Sequence, residues 1–202
     1  MRLQEALRTI EEFWTEPDWP FGQRPADAEL ARIQGEFALP LPLDLQEYIT
    51  DVAPAEYFLF GRIGNPLEVY STRRLRHFQD GYNFNSVTKT AIPGWLDHWF
   101  MLADEGADPV FVDLQDTTCR VWFAYHGAGS WNDREIIADS IGQFLLCAAA
   151  VHHALHDFTE EATLDDEHGF RLAPEPAIWL FPRMRQWAGA YYPFWCGDFD
   201  NA

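Results

Sequence analysis

The side chains that chemistry uses gather at a few places in this chain. His152, His153 and His156 fall in the run HHALH, and His152 and His156 stand one helical turn apart, a spacing that can chelate a metal ion. The glutamate of a zinc-protease HExxH motif is missing, so three histidines beside an apolar run read as packing groups. Asp104, Glu105, Asp108, Asp113 and Asp116 form the densest carboxylate cluster. A calcium loop starting at Asp104 would need an oxygen ligand third and glycine sixth, but Gly106 and Pro109 stand there. Paired carboxylates also serve glycosidases, yet nothing in the spacing selects two of these. In a hairpin over 101–114 they fall at or near an exposed acidic turn, ADEGADP, which suits solvation or docking of a cationic partner. Cys147 lies in the apolar run Phe144 to Val151, where burial raises a thiol pKa and disfavours reactivity. There is no GxSxG elbow, P-loop or GxGxxG. The expectation is a chain with no catalytic residues, no metal and no cofactor.

Charge narrows the partner. The 202 residues carry 14 basic and 32 acidic groups, a net −18. Residues 1–60, 101–156 and 157–202 are net −8, −6 and −6, and residues 61–100 are net +2. The acidity is spread over the folded surface rather than confined to a tail. Such a chain repels a polyanion and attracts a basic protein. The one basic cluster, Arg73, Arg74 and Arg76, is too small to reverse that. Glu5, Glu11 and Glu12 interrupt the first fourteen residues, which do not read as a signal peptide, and the longest apolar run is eight residues, against roughly 20 for a bilayer span. Three scattered cysteines with no CxxC form no disulfide framework. A cytoplasmic protein is expected, binding neither membrane nor nucleic acid.

The elements that position these groups follow from periodicity. Leu3, Leu7, Ile10 and Phe13 or Trp14 predict a helix ending before Pro17. A second helix follows Pro25 with Leu30 or Ala31, Ile33 and Phe37 inward, and a third spans Leu43 to Val52. Short runs EYFLFG and LEVYS read as strands, as do 95–103, 110–114 and 120–126, after which Gly127 to Ser130 end the strand series. A short helix is expected near 72–78, a long one from about Ala138, an acidic connection over 157–175 and a last helix over 176–190. The aromatic tail YYPFWCGDFDNA is expected to pack. The fold class is α+β, a largely antiparallel sheet flanked by N-terminal and C-terminal helices.

Several segments, taken in order, resemble the SUKH superfamily. EFALPLPLDLQEYI, residues 36–49, is similar to its early helix that ends in a leucine-proline step. EYFLFG and LEVYS match its first strand pair, and WFMLADEGADPVFVDLQDTTCRVWFAYHGAG, residues 99–129, its central strands, with Gly106-Ala107-Asp108 and Asp113-Leu114 at the Gly-x-Asp and Asp-Leu steps. IADSIGQFLL resembles the closing helix, with Ile141 where an aromatic is usual. The resemblance covers about 25–150 of a single domain. It departs at Ala53-Pro54-Ala55, where the family often has Asn-Gly, and at 72–98; residues 157–202 stand as a C-terminal helical extension.

The resemblance implies a non-enzymatic binding domain. Many bacterial members look like immunity proteins that neutralise nuclease or deaminase toxins by direct binding, which agrees with the charge. A basic toxin domain is the partner this implies, with Asp104, Glu105, Asp108 and Asp116 as charged contacts and Trp99 and Trp122 as exposed aromatic anchors. The alternative is a regulatory or scaffold domain binding an endogenous partner. An enzyme would require a pocket that joins His152 or His156 to carboxylates.

Overall fold

The computed structural model describes residues 1–16, 19–22, 27–128, 130–158 and 161–202. Pro17 and Pro25, expected to bound the first two helices, lie outside the described residues. Helix α1 (Leu3–Glu11) buries Leu3, Ala6, Leu7 and Ile10, the stripe its periodicity predicts. α2 spans Asp27–Glu36 and α3 Leu43–Glu47, the latter continuing as a wider turn through Tyr48–Val52. The strands β1 (Phe58–Phe60), β2 (Leu67–Val69), β3 (Phe84–Asn85), β4 (Thr90–Ala91), β5 (Trp99–Glu105), β6 (Asp108–Asp113), β7 (Val121–Phe123) and β8 (Glu135–Ala138) follow. Six of them form one antiparallel sheet in the order β1-β2-β5-β6-β7-β8, and β3 and β4 make a separate small hairpin. The chain closes with α4 (Ile141–His156), β9 (Thr163–Asp166), β10 (Gly169–Leu172), α5 (Pro174–Trp187) and α6 (Tyr192–Cys196). This is the α+β architecture expected from the sequence.

Helix α4 is apolar all round, and it is buried all round. The sheet lies on one side of it, and α1 and α5 pack on the others. Ser140 caps it: its Oγ accepts the Gln143 N–H at 3.2 Å, while the Gln143 side chain accepts the Asp139 N–H at 2.6 Å. Gly142 suits the close approach of α1, because a Cβ there would meet the Arg2 carbonyl oxygen and the Leu3 Cα at 3.1 Å and ask that backbone to give slightly.

Four expectations change. Residues 72–78 form turns rather than a helix, because their carbonyls are taken by side chains. Arg32 donates to the Thr72 and Leu75 carbonyls at 3.0 and 2.9 Å, and the Gln79 amide donates to those of Arg74 and Arg76. The strand series continues past Ser130 into β8. The acidic connection folds as the hairpin β9–β10, so the extension is not purely helical. The turn at the acidic cluster is also tighter than expected. Only Gly106 and Ala107, at φ +61° and +81°, lie outside the strands, the signature of a two-residue turn with both central residues left-handed. Asp104, Glu105 and Asp108 therefore belong to the strand ladder.

The aromatic tail packs as expected. Trp195, 2% exposed, donates its indole N–H to the Ile137 carbonyl at 2.9 Å, and Phe199 is buried with it. One hydrophobic core runs from Leu3 to Phe199, so the extension and the sheet share a single interior.

Candidate protein-binding site

At the tip of the β5–β6 hairpin lies an open cleft of about 530 Å³. Glu105 and Asp108 stand opposite each other in register and so share one face of the sheet. On that face Phe123 of β7 pairs with Glu135 of β8, and Tyr125 follows just beyond the strand. The far wall is Phe194 of α6 and Asp198 after it. The loop after β1 brings in Arg62, whose Nε donates to Glu105 Oε2 at 3.2 Å. Its guanidinium lies 5.1 and 5.0 Å from the ring centroids of Phe194 and Trp195. The Arg62 side chain is 6% exposed and that of Glu105 15%, so this is a largely desolvated ion pair.

The electrostatics of the cleft are lopsided. Burial pushes the Glu105 carboxyl above its ordinary value; Arg62 opposes this and the charges of Asp198 and Asp108 add to it. The Tyr125 phenol is also raised, first by partial burial and then by Glu135, Asp108, Asp198 and Glu105. Four carboxylates thus line the cleft with one internal guanidinium, which is bonded to Glu105. Among the described residues, Asp108, Glu135 and Asp198 have no lysine, arginine or histidine within ion-pair distance. Tyr125, 52% exposed, offers an aromatic ring beside them. The arrangement suits a lysine or arginine side chain arriving from outside.

The structure brings together only two of the six residues selected from the sequence, Glu105 and Asp108. Asp104 points to the opposite face. There it accepts the Tyr70 hydroxyl at 2.5 Å and an Arg74 N–H at 3.1 Å, and its side chain is 13% exposed. Asp116 sits at the other end of β6, held by the Thr118 hydroxyl at 2.6 Å and Arg120 at 2.6 Å. Burial raises its pKa, but these bonds outweigh that and hold the carboxyl below its ordinary value. Trp99 is 4% exposed and packs on Trp95 and Phe111, which corrects its reading as an exposed anchor. Trp122 is half-buried on the face opposite Phe123, sharing the Arg134 guanidinium with Trp99. Arg62, Tyr125, Glu135, Phe194 and Asp198 were not selected. They lie far apart in the chain, and no spacing rule joins them.

The other chemical candidates have structural places. His152 uses both ring nitrogens, accepting the Gly61 N–H and meeting Glu16, and His153 bonds Asp157 at 2.5 Å beside Phe13 and Trp179. Among the described residues no three His, Cys, Asp or Glu are grouped to hold a metal. Cys147 is fully buried, and burial pushes its thiol far up; the Cys119 and Cys196 thiols are pushed up to about 12. No described helix is long and apolar enough to cross a membrane.

The described residues thus form an antiparallel sheet backed by helices, with a carboxylate-rich cleft at one hairpin tip. The SMI1 / KNR4 family (SUKH-1) matches residues 24–147, well over half of the chain, and the chain belongs to that family. Its members are commonly non-catalytic proteins of immunity type. No curated relative matches the sequence. The family match ends inside α4. Arg62, Glu105, Asp108, Tyr125 and Glu135 lie within it, whereas Phe194 and Asp198 come from the extension beyond it.

Proposed function

We propose that this is a cytoplasmic immunity protein that neutralises a basic, nuclease-type toxin by binding it, with no bond made or broken. The observation that carries this reading is the cleft: four carboxylates, from β5, β6, β8 and the turn after α6, line it with one guanidinium, on a chain of net charge −18. A nuclease must be cationic where it holds phosphates, so an acidic surface is steered to that site and covers it. Asp108, Glu135 and Asp198 are the charged contacts and Tyr125 the aromatic one. Glu105 is placed by Arg62 and sets the floor of the cleft. Asp104, Asp116, Trp99 and Trp122, with their internal partners, hold the hairpin that presents it. The family membership supports a binding role of this kind.

The test is co-purification with the product of the neighbouring gene, followed by titration of the pair at two salt concentrations. A complex whose affinity falls steeply with salt is expected. Failure of every adjacent toxin-like product to bind, or a complex indifferent to salt, would overturn the reading. Capture of an endogenous regulator instead would point to the scaffold role.

A further inference from the structure

Away from the cleft, the residues after α1 and the end of the edge strand β1 meet on one imidazole of α4. His152 Nδ1 accepts the Gly61 N–H at 2.7 Å and therefore carries no proton. The proton of the neutral ring is then on Nε2, which donates to Glu16 Oε1 at 2.8 Å. Trp14 stacks on the same ring at 5.6 Å and 18°, and it also packs against Phe58 and Phe60 of β1. Phe21, further along the same segment, meets Phe60 at 6.1 Å, and Gly22 N–H reaches the Val52 carbonyl at 3.2 Å. His152 thus joins three parts of the chain: the post-α1 strap, the end of β1 and helix α4. The fit around Gly61 is close. A Cβ there would overlap the His156 ring, so its backbone lies directly on the two imidazoles.

We propose that His152 is a proton-operated latch, which when protonated releases the Gly61 N–H and frees the end of β1 from α4, while Glu16 of the strap stays bonded to the ring. The doubly protonated ring has no lone pair for Gly61, and two N–H groups would then face each other across 2.7 Å. The bond to Glu16 alone would gain from the charge, so the latch fails at its Gly61 side. The groups facing the ring are Glu16 from the strap and His156 and Asp157 from α4 and its end. Burial, the largest effect, favours the neutral ring, and His156 acts with it; Glu16 and Asp157 oppose; the balance leaves the pKa below the ordinary 6.5. The sign follows. The stabilisation from the neutral ring is complete above 6.5, and it is lost as pH falls from 6.5 through the folded-state value.

Amide exchange measured by NMR across pH 7.5 to 5, as protection factors corrected for intrinsic exchange, tests the latch on the full chain. The Gly61 amide is expected to lose at least tenfold in protection across the histidine range, while amides of β6 and β7 hold theirs. His152→Gln, which can accept and donate but does not titrate, is expected to abolish that loss. Side-chain nitrogen shifts of the wild type are expected to show the Nε2–H tautomer and a midpoint below 6.5 for His152. The proposal is overturned if Gly61 follows the core amides, if His152→Gln retains the loss, or if His152 titrates at or above 6.5. Should the variant not fold, the wild-type exchange and titration decide alone.

Discussion

Asp104 and Glu105 are neighbours in one strand, each paired with an internal arginine, and they sit in opposite charge balances. Asp104 belongs to a clamp in which Tyr70, Arg74 and Glu68 answer one another; Arg74 pairs with both carboxylates and lies 3.7 Å over the Tyr70 ring. Every charge in the clamp has a hydrogen-bonded partner. Glu105, one residue on and on the other face, belongs to a cleft lined by one guanidinium and four carboxylates. Residue type and chain position are nearly the same, and only the local charge balance differs. A carboxylate whose partner is internal holds the fold, whereas one left without a cation is available to another molecule.

The largest effect is expected where the two roles meet. Arg62→Ala removes the partner of a buried carboxylate and should lower stability by about 3–5 kcal/mol, read as a lower urea midpoint. A loss under about 1 kcal/mol would mean that Glu105 is solvated and the cleft is not preorganised. Next comes the cleft itself. Asp108→Asn, Glu135→Gln and Asp198→Asn together should leave the urea midpoint nearly unchanged, within about 0.5 kcal/mol. The same triple variant should slow association with the proposed basic partner at least tenfold at low salt and flatten its salt dependence, as stopped-flow mixing would report. If stability collapsed instead, these carboxylates would belong with the clamp.

Sequence periodicity exposed most of the body. The stripe of α1 buries what its pattern predicts, and the long helix after Ala138 and the strands around the acidic hairpin form where expected, with Trp99 turned inward rather than outward. The elements that pattern missed are held by distant partners. β9 and β10 are half-exposed and poor in apolar alternation; they form where the tail reaches them, with Asp200 accepting the Phe170 N–H at 2.7 Å and Asn201 bonding Leu172 both ways. β8 is four residues long and runs straight into the Ser140 cap, leaving no turn signal of its own. The cleft was half visible for a related reason. Its Glu105 and Asp108 are adjacent across a tight turn, but Tyr125, Glu135 and Asp198 join them only through sheet register and the docking of α6. The alternation that puts Asp104 and Glu105 on opposite faces depends on where the turn falls, and a longer loop would have erased it.

Two smaller substitutions sharpen the contrast between the faces. Asp104→Asn keeps the shape but weakens the charged bonds to Tyr70 and Arg74. With Arg74 partly solvent-screened, a loss of about 1.5 kcal/mol is expected, with affinity for the proposed partner unchanged. Asp116→Asn should cost the least, about 0.5 kcal/mol, because Arg120 is exposed. Its sign with pH is fixed by the depressed carboxyl: the contribution is present above the ordinary carboxylate value of 3.8 and fades as pH falls through the lower folded value. Urea midpoints of wild type and Asp116→Asn should therefore differ at pH 6 and converge toward pH 3. If Asp116→Asn instead reduced affinity for the proposed partner tenfold, the binding surface would extend to the far end of β6, and a shared strand would no longer separate the residues that hold the hairpin from those that meet the partner.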